Sequence, residues 1–132
     1  MNVDILAIGA HPDDIELGIG GFIHKLTSQG RSVAMLDLTQ GEMGTRGIPD
    51  QRLQEGQEAA RILGVTEREN AGLPDAGLEN TSEQQRRIIP FIRKFRPRTL
   101  FLPMTHDRHP DHHVAHAIVR DANFFSGLAR ID

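Results

Sequence analysis

Two short apolar runs, Val3 to Ile8 and Thr99 to Pro103, are each followed by a turn crowded with histidine and aspartate. The first turn is Ala10-His11-Pro12-Asp13-Asp14-Ile15-Glu16 and the second is His109-Pro110-Asp111-His112-His113. Ionisable groups packed this densely after core strands are costly unless they are paired or hold a metal. Any fold for the chain must therefore deliver both turns to a place where their charges have partners.

The hydrophobic pattern alternates between continuous runs and helical spacing, the mark of βαβ units around a mostly parallel sheet. Strands are expected over Val3–Ile8, Ser32–Leu38, Arg68–Leu73 and Thr99–Leu102, the second being apolar enough to be covered on both faces. Helices are expected from about Leu17 to Ser28, from an Asp50 cap through Leu53, Ala60 and Leu63, from Thr81 or Ser82, and from an Asp111 cap to about Phe125. Pro90 should kink or split the third helix. Right-handed crossovers then favour a Rossmann-like, doubly wound α/β sheet of order 3-2-1-4 with helices on both faces. In that order strands 1 and 4 are neighbours, and ligands bind at the carboxyl ends of such strands. Topology alone thus brings together motifs about a hundred positions apart.

At 132 residues the chain is expected to be a single domain, long enough for a real core. With 15 basic and 18 acidic side chains it has no charge excess suited to nucleic acid or a membrane surface. Aromatic stacking on a base or sugar falls to six Phe, because Trp and Tyr are absent. Zero cysteines exclude thiolate ligands and disulfides, and no basic and apolar leader precedes the first strand, so a soluble cytoplasmic protein is expected.

A catalytic zinc takes three ligands from His and carboxylate and leaves one position for water. Spacing does not choose among the four histidines from His106 to His113. The pairs His109 with His113 and His112 with His116 have i, i+4 spacing, but an N-cap at Asp111 leaves His109 in the loop. His24 and His116 read as ordinary helix-surface or satisfied histidines.

The two motifs closely resemble the LmbE-like, or PIG-L, family of zinc-dependent N-acetylglucosaminide deacetylases. The segments Asp37-Leu38-Thr39, Gly41 to Gly47, Leu73-Pro74-Asp75 and Phe124-Phe125-Ser126-Gly127 most resemble the bacillithiol branch, which deacetylates N-acetylglucosaminyl-malate. The resemblance implies Zn2+ held by His11, Asp14 and His112, with Asp13 as general base. It also implies that His109, protonated, stabilises the oxyanion and can protonate the leaving amine, with Asp111 orienting and electrostatically supporting it. A small-molecule N-acetylglucosaminide and a homo-oligomer are the implied partners. Arg52 and Arg46, near the Gly-rich loop after strand 2, are candidate substrate grips, whereas the basic run from Arg86 to Arg98 reads as a solvated face. Family members are longer and contribute later strands and a tyrosine, so the chain is expected to cover the N-terminal part of the fold.

Two rival readings make different demands. A nucleotide-binding module would need G-x-G-x-x-G in the first turn, and Gly18-Ile19-Gly20-Gly21 falls too late for it. A non-catalytic metal-binding protein of the same fold would keep zinc without releasing amine.

Overall fold

The computed structural model describes residues 1–45 and 47–132; Arg46, one of the two candidate substrate grips, lies outside the described residues. Among the described residues eight elements alternate: β1 (Ile5–Gly9), α1 (Asp14–Ser28), β2 (Val33–Thr39), α2 (Pro49–Leu63), β3 (Glu67–Leu73), α3 (Ser82–Phe95), β4 (Thr99–Phe101) and α4 (Pro110–Ser126). The strands form one sheet of order β3-β2-β1-β4, parallel at every pairing, as the crossover argument requires.

Alternation along β1 divides the core. Ile5 and Ala7 face one way, where α1 contributes Ile15 and Ile23 and α2 contributes Leu63. Leu6 and Ile8 face the other way, against Ile88, Ile89, Ile92 and Phe95 of α3 and Ala115, Ile118, Val119 and Ala122 of α4. β2 is buried along its whole length, which explains its near-continuous apolar sequence. Lys94, from the basic run, pairs with Glu67 and Glu69 on the outer strand β3, and this charged fringe protects that edge from further pairing. Among the described residues, no helix is long and apolar enough to cross a membrane.

The helices depart from expectation in four places. α1 starts at Asp14 rather than Leu17 and bends at Ile19 (φ −138°), where the flanking Gly18 and Gly20 offer little resistance. Asp50 is not the cap of α2: the helix begins at Pro49, whose missing N–H costs nothing there, and Asp50 complements the helix dipole from the first turn. Asp111 likewise lies inside α4, and His109 is its N-cap. Pro90 does not split α3, because it faces solvent, where water can satisfy the carbonyl that loses its partner.

An exposed proline inside an intact helix still sacrifices a backbone bond. Pro90→Ala is expected to stabilise the chain by about 1–2 kcal/mol, the interior-proline penalty less the entropy regained by the unfolded chain. Urea titration of both proteins checks this, and an unchanged midpoint would contradict it.

Candidate metal centre

The first motif is held from both sides of the sheet end. Thr39, fully buried at the end of β2, donates both its backbone N–H and its hydroxyl to the Ala10 carbonyl, each at 3.0 Å. Arg52 of α2 donates to the carbonyls of Pro12 and Gly41, also at 3.0 Å each. Gly41 permits this approach: at φ +66° a Cβ there would lie 2.1 Å from the guanidinium. Asp13 is forced into the left-handed region at φ 86°, a strained conformation for a residue with a side chain. Its carbonyl then opens α1 by accepting from Leu17 N at 2.9 Å.

Beneath the motif lies a buried ion network. Arg68 of β3 forms a two-pronged pair with Asp37 of β2, at 2.7 and 2.9 Å. It pairs in the same manner with Glu16 in the first turn of α1, at 3.0 Å on both oxygens. Burial opposes the charge on Arg68, but the bonds to Asp37 and Glu16 outweigh it and hold its pKa above the usual arginine value. This network ties the motif turn to β2 and β3, and the hydrophobic pattern gave no sign of it.

The second motif arrives on α4. His112 Nε2 lies 3.1 Å from Asp14 Oδ2, and His11 Nδ1 lies 3.3 Å from the same oxygen. The donor atoms of His11, Asp14 and His112 thus sit within 4.8 Å of one another, and so do those of a second group, His11, His109 and Asp111. The two groups differ in what surrounds them. In the first, the nitrogen of each histidine that faces away meets a carboxylate: His11 Nε2 bonds Asp111 Oδ2 at 2.9 Å, and His112 Nδ1 lies 3.1 Å from Asp107 Oδ2. Such outer carboxylates fix the tautomer and orientation of a metal-ligating histidine. In the second group, the Asp111 carboxylate is already engaged by His11 Nε2 and by the Ala76 N–H at 2.9 Å. The first group also lines a cavity of about 360 Å³ shared with Asp13, Gly41, Met43, Gly44, Arg52, Asp75, Ala76 and His109.

Electrostatics separate the two adjacent aspartates. Burial raises the pKa of Asp14, but hydrogen bonds from His11 and the charges of His112 and His11 outweigh it, and the net shift is downward. Asp13 shifts upward, through burial and the neighbouring Asp14 charge, with Arg52 opposing at 3.9 Å. His11 loses some basicity to burial but gains more from its bonds to Asp14 and Asp111 and from the Asp14 and Asp75 charges. Its pKa is pushed up to about 9.

The structure therefore brings together His11, Asp13, Asp14, His109, Asp111 and His112 and seats Arg52 beside them. Asp111 meets His109 through its backbone N–H, which donates to His109 Nδ1 at 3.1 Å, while its carboxylate bonds His11 and lies within 4.8 Å of His109. With Nδ1 accepting there, Nε2 is the His109 nitrogen left to face the cavity. Arg52 has a guanidinium N–H on each of two backbone carbonyls, so it braces the site as much as it faces the cavity. His24 and His113 are exposed, and His116 bonds the Pro103 carbonyl at 2.9 Å. Sequence reasoning gave no role to Asp75, 3.0 Å from His11 Nε2, or to Asp107. Asp75 follows the carboxyl end of β3, and applying the strand-end argument to every strand would have found it.

A parallel α/β sheet with a His/Asp cluster at its topological switch point defines the class of fold and the place of its site. The PIG-L family, whose description is GlcNAc-PI de-N-acetylase, matches residues 6–123, and the chain belongs to it. Diacetylchitobiose deacetylase of Thermococcus kodakarensis is 37% identical over 134 residues, covering 94% of this chain and 50% of that protein. The probable N-acetyl-alpha-D-glucosaminyl L-malate deacetylase 2 of Bacillus cereus is 30% identical over 135 residues, covering 91% and 61%. The crystal structure of a conserved protein from Thermus thermophilus superposes with a TM-score of 0.92 at 43% identity, covering 98% of this chain and 59% of that one. The chain thus spans about half to three-fifths of the length of these relatives.

Two outcomes are expected from these charges. Arg68→Met leaves Asp37 and Glu16 facing each other without a cation and should cost about 3–5 kcal/mol in chemical denaturation; a loss under about 1 kcal/mol would show that the network is dispensable. His11 in the metal-free chain has a pKa above its ordinary 6.5, so its contribution is complete below that pH and is lost as pH rises through about 9. Metal-free wild type should lose stability between about pH 7 and 10 more steeply than His11→Gln, and parallel curves would refute the shift.

Proposed function

We propose that this chain carries the catalytic centre of a zinc-dependent deacetylase acting on the amide of an N-acetylglucosamine-type small molecule. One observation carries the reading. His11, Asp14 and His112 form a three-residue donor set open to a cavity, each histidine backed by a carboxylate, with Asp13 and His109 lining the same cavity. Two nitrogens and one carboxylate oxygen suit zinc, and the open side leaves room for water. The relatives named for diacetylchitobiose and for the glucosaminyl malate support a substrate built on N-acetylglucosamine. N-Acetylglucosaminyl-malate is the narrower candidate, although Arg52, the cation suited to its carboxylates, already bonds two carbonyls.

When bound, zinc would polarise the acetyl carbonyl and lower the pKa of the attacking water. Asp13, more basic than an ordinary aspartate, takes a proton from that water as its oxygen adds to the acetyl carbon. His109, fixed through Nδ1, presents Nε2–H to the oxyanion that develops. Asp13 then returns the proton it holds to the leaving nitrogen. The carbon–nitrogen bond breaks, giving acetate and the free amine.

The test is amine release from diacetylchitobiose and from N-acetylglucosaminyl-malate by the zinc-loaded chain, with a chelator-treated control. Chelator-sensitive release is expected from at least one of them, whereas bound zinc without release would favour a metal-binding protein that does not turn over. Asp13→Ala should keep zinc and lose at least about 100-fold in rate, and His112→Ala should lose both metal and activity. Equal zinc content in the two variants would overturn the ligand assignment.

A further inference from the structure

Asp75, in the loop after β3, touches two parts of the centre that are otherwise separate. Its carboxylate is almost wholly enclosed, with 8% of the side chain exposed. One oxygen, Oδ1, lies 3.0 Å from His11 Nε2, and the other, Oδ2, accepts the backbone N–H of Met43 at 2.9 Å. The contact is reciprocal: the Asp75 N–H donates to Glu42 Oε2 at 2.8 Å. Met43 sits in the turn closed by Gly44 N on the Gly41 carbonyl at 3.0 Å, and Gly41, Met43 and Gly44 form one wall of the cavity over the donor set.

His11 does not need Asp75 for its tautomer, because Asp111 already accepts from Nε2 at 2.9 Å. What Asp75 adds is the connection to the 41–45 wall. We propose that Asp75 is a positioning residue that couples metal loading at His11 to the ordering of the 41–45 loop as a wall of the substrate pocket. The inference rests on His11 being a metal ligand, as in the proposed function. A metal held by His11 would fix the ring in place, and with it the Asp75 carboxylate that faces Nε2 at 3.0 Å. Its other oxygen holds Met43 N, so the loop is fixed by the same event.

An asparagine cannot do both jobs. With its single carbonyl oxygen toward Met43 its NH2 opposes His11 Nε2–H, and with the oxygen toward His11 the NH2 opposes Met43 N–H. A glutamate keeps both acceptor oxygens at a longer reach and serves as the conservative variant.

The experiment measures zinc affinity by chelator competition and amide hydrogen exchange of residues 41–45, with and without zinc, for wild type, Asp75→Asn and Asp75→Glu. In wild type, zinc should slow exchange in this loop by about tenfold or more. In Asp75→Asn, zinc should bind about 10–100-fold more weakly, and the zinc-dependent protection of the loop should vanish even at saturating metal. Core amides of β2 should be unaffected by the metal, and Asp75→Glu should recover part of the protection. A role in stability alone would lower protection equally with and without zinc and would overturn the proposal. So would zinc affinity within about twofold of wild type together with unchanged zinc-dependent protection. Failure of wild type to bind zinc would overturn this inference and the metal centre together. Zinc binding without amine release would overturn the deacetylase reading and leave the Asp75 coupling to be decided by exchange.

Discussion

The pairing of β4 with β1 is the contact on which the centre depends. It spans three residues, Thr99 to Phe101 against Ile5 to Ala7, yet it sets the height at which the second motif enters. A slip of one residue would move β4 by about 3.3 Å and turn its side chains to the other face. The bonds between the motifs, 2.9 Å from His11 to Asp111 and 3.1 Å from Asp14 to His112, could not survive such a shift. Register is secured by burial on both sides of β1, with Leu6 and Ile8 committed to one core and Ile5 and Ala7 to the other. Precision at the site therefore originates in apolar packing beneath it.

On this scaffold the described residues place more negative charge than their own cations balance. Asp13, Asp14, Asp75, Asp107 and Asp111 surround His11, His109 and His112, and Arg52, the arginine that lines the same cavity, stands 3.9 Å from Asp13. Without a metal, the surrounding carboxylates keep His11 protonated to about pH 9. A divalent cation in the donor set meets the same electrostatic demand while displacing that proton. The arrangement is thus selective for positive charge before any geometric preference operates. The Arg68 network below serves a different purpose, since its one guanidinium is shared between two carboxylates and its effect is to fix the turn that carries Asp14.

Much of the architecture was legible in the sequence because it rests on strong signals. Three apolar runs and the short segment Arg68–Leu73, separated by helical spacing, together with the crossover rule, yielded the strand order and hence the meeting of the motifs. Helix starts were less legible. Asp50 and Asp111 have the chemistry of caps, but Pro49 and Pro110 each occupy the first helical position and push the cap two residues earlier, to Ile48 and His109. The roles of Asp111 and Asp75 were hidden for a different reason. Which carboxylate backs which histidine depends on side-chain directions across three loops, and neither spacing nor periodicity encodes that. Arg68 was invisible because a lone arginine in a strand pattern reads as an edge residue unless its two carboxylate partners, 31 and 52 positions away, are known to converge.

Asp13 and Asp14 show how a single backbone conformation divides labour between neighbours. In an ordinary helical entry both carboxylates would occupy the same first turn with similar surroundings. The left-handed geometry at Asp13 instead turns its side chain to the cavity beside the Asp14 charge, while Asp14 accepts the His11 N–H at 2.9 Å and faces both histidines. One aspartate is thereby made less basic and suited to holding a cation, and the other more basic and suited to holding a proton. The strain at φ 86° is the cost of that separation, and the brackets on either side of the residue sustain it, Arg52 on the Pro12 carbonyl and Leu17 N on the Asp13 carbonyl. The same brackets explain why Arg52 belongs to the site even though its hydrogen bonds point at backbone. Relaxing the turn would return both carboxylates to one environment and remove the difference in basicity that the proposed proton transfer uses.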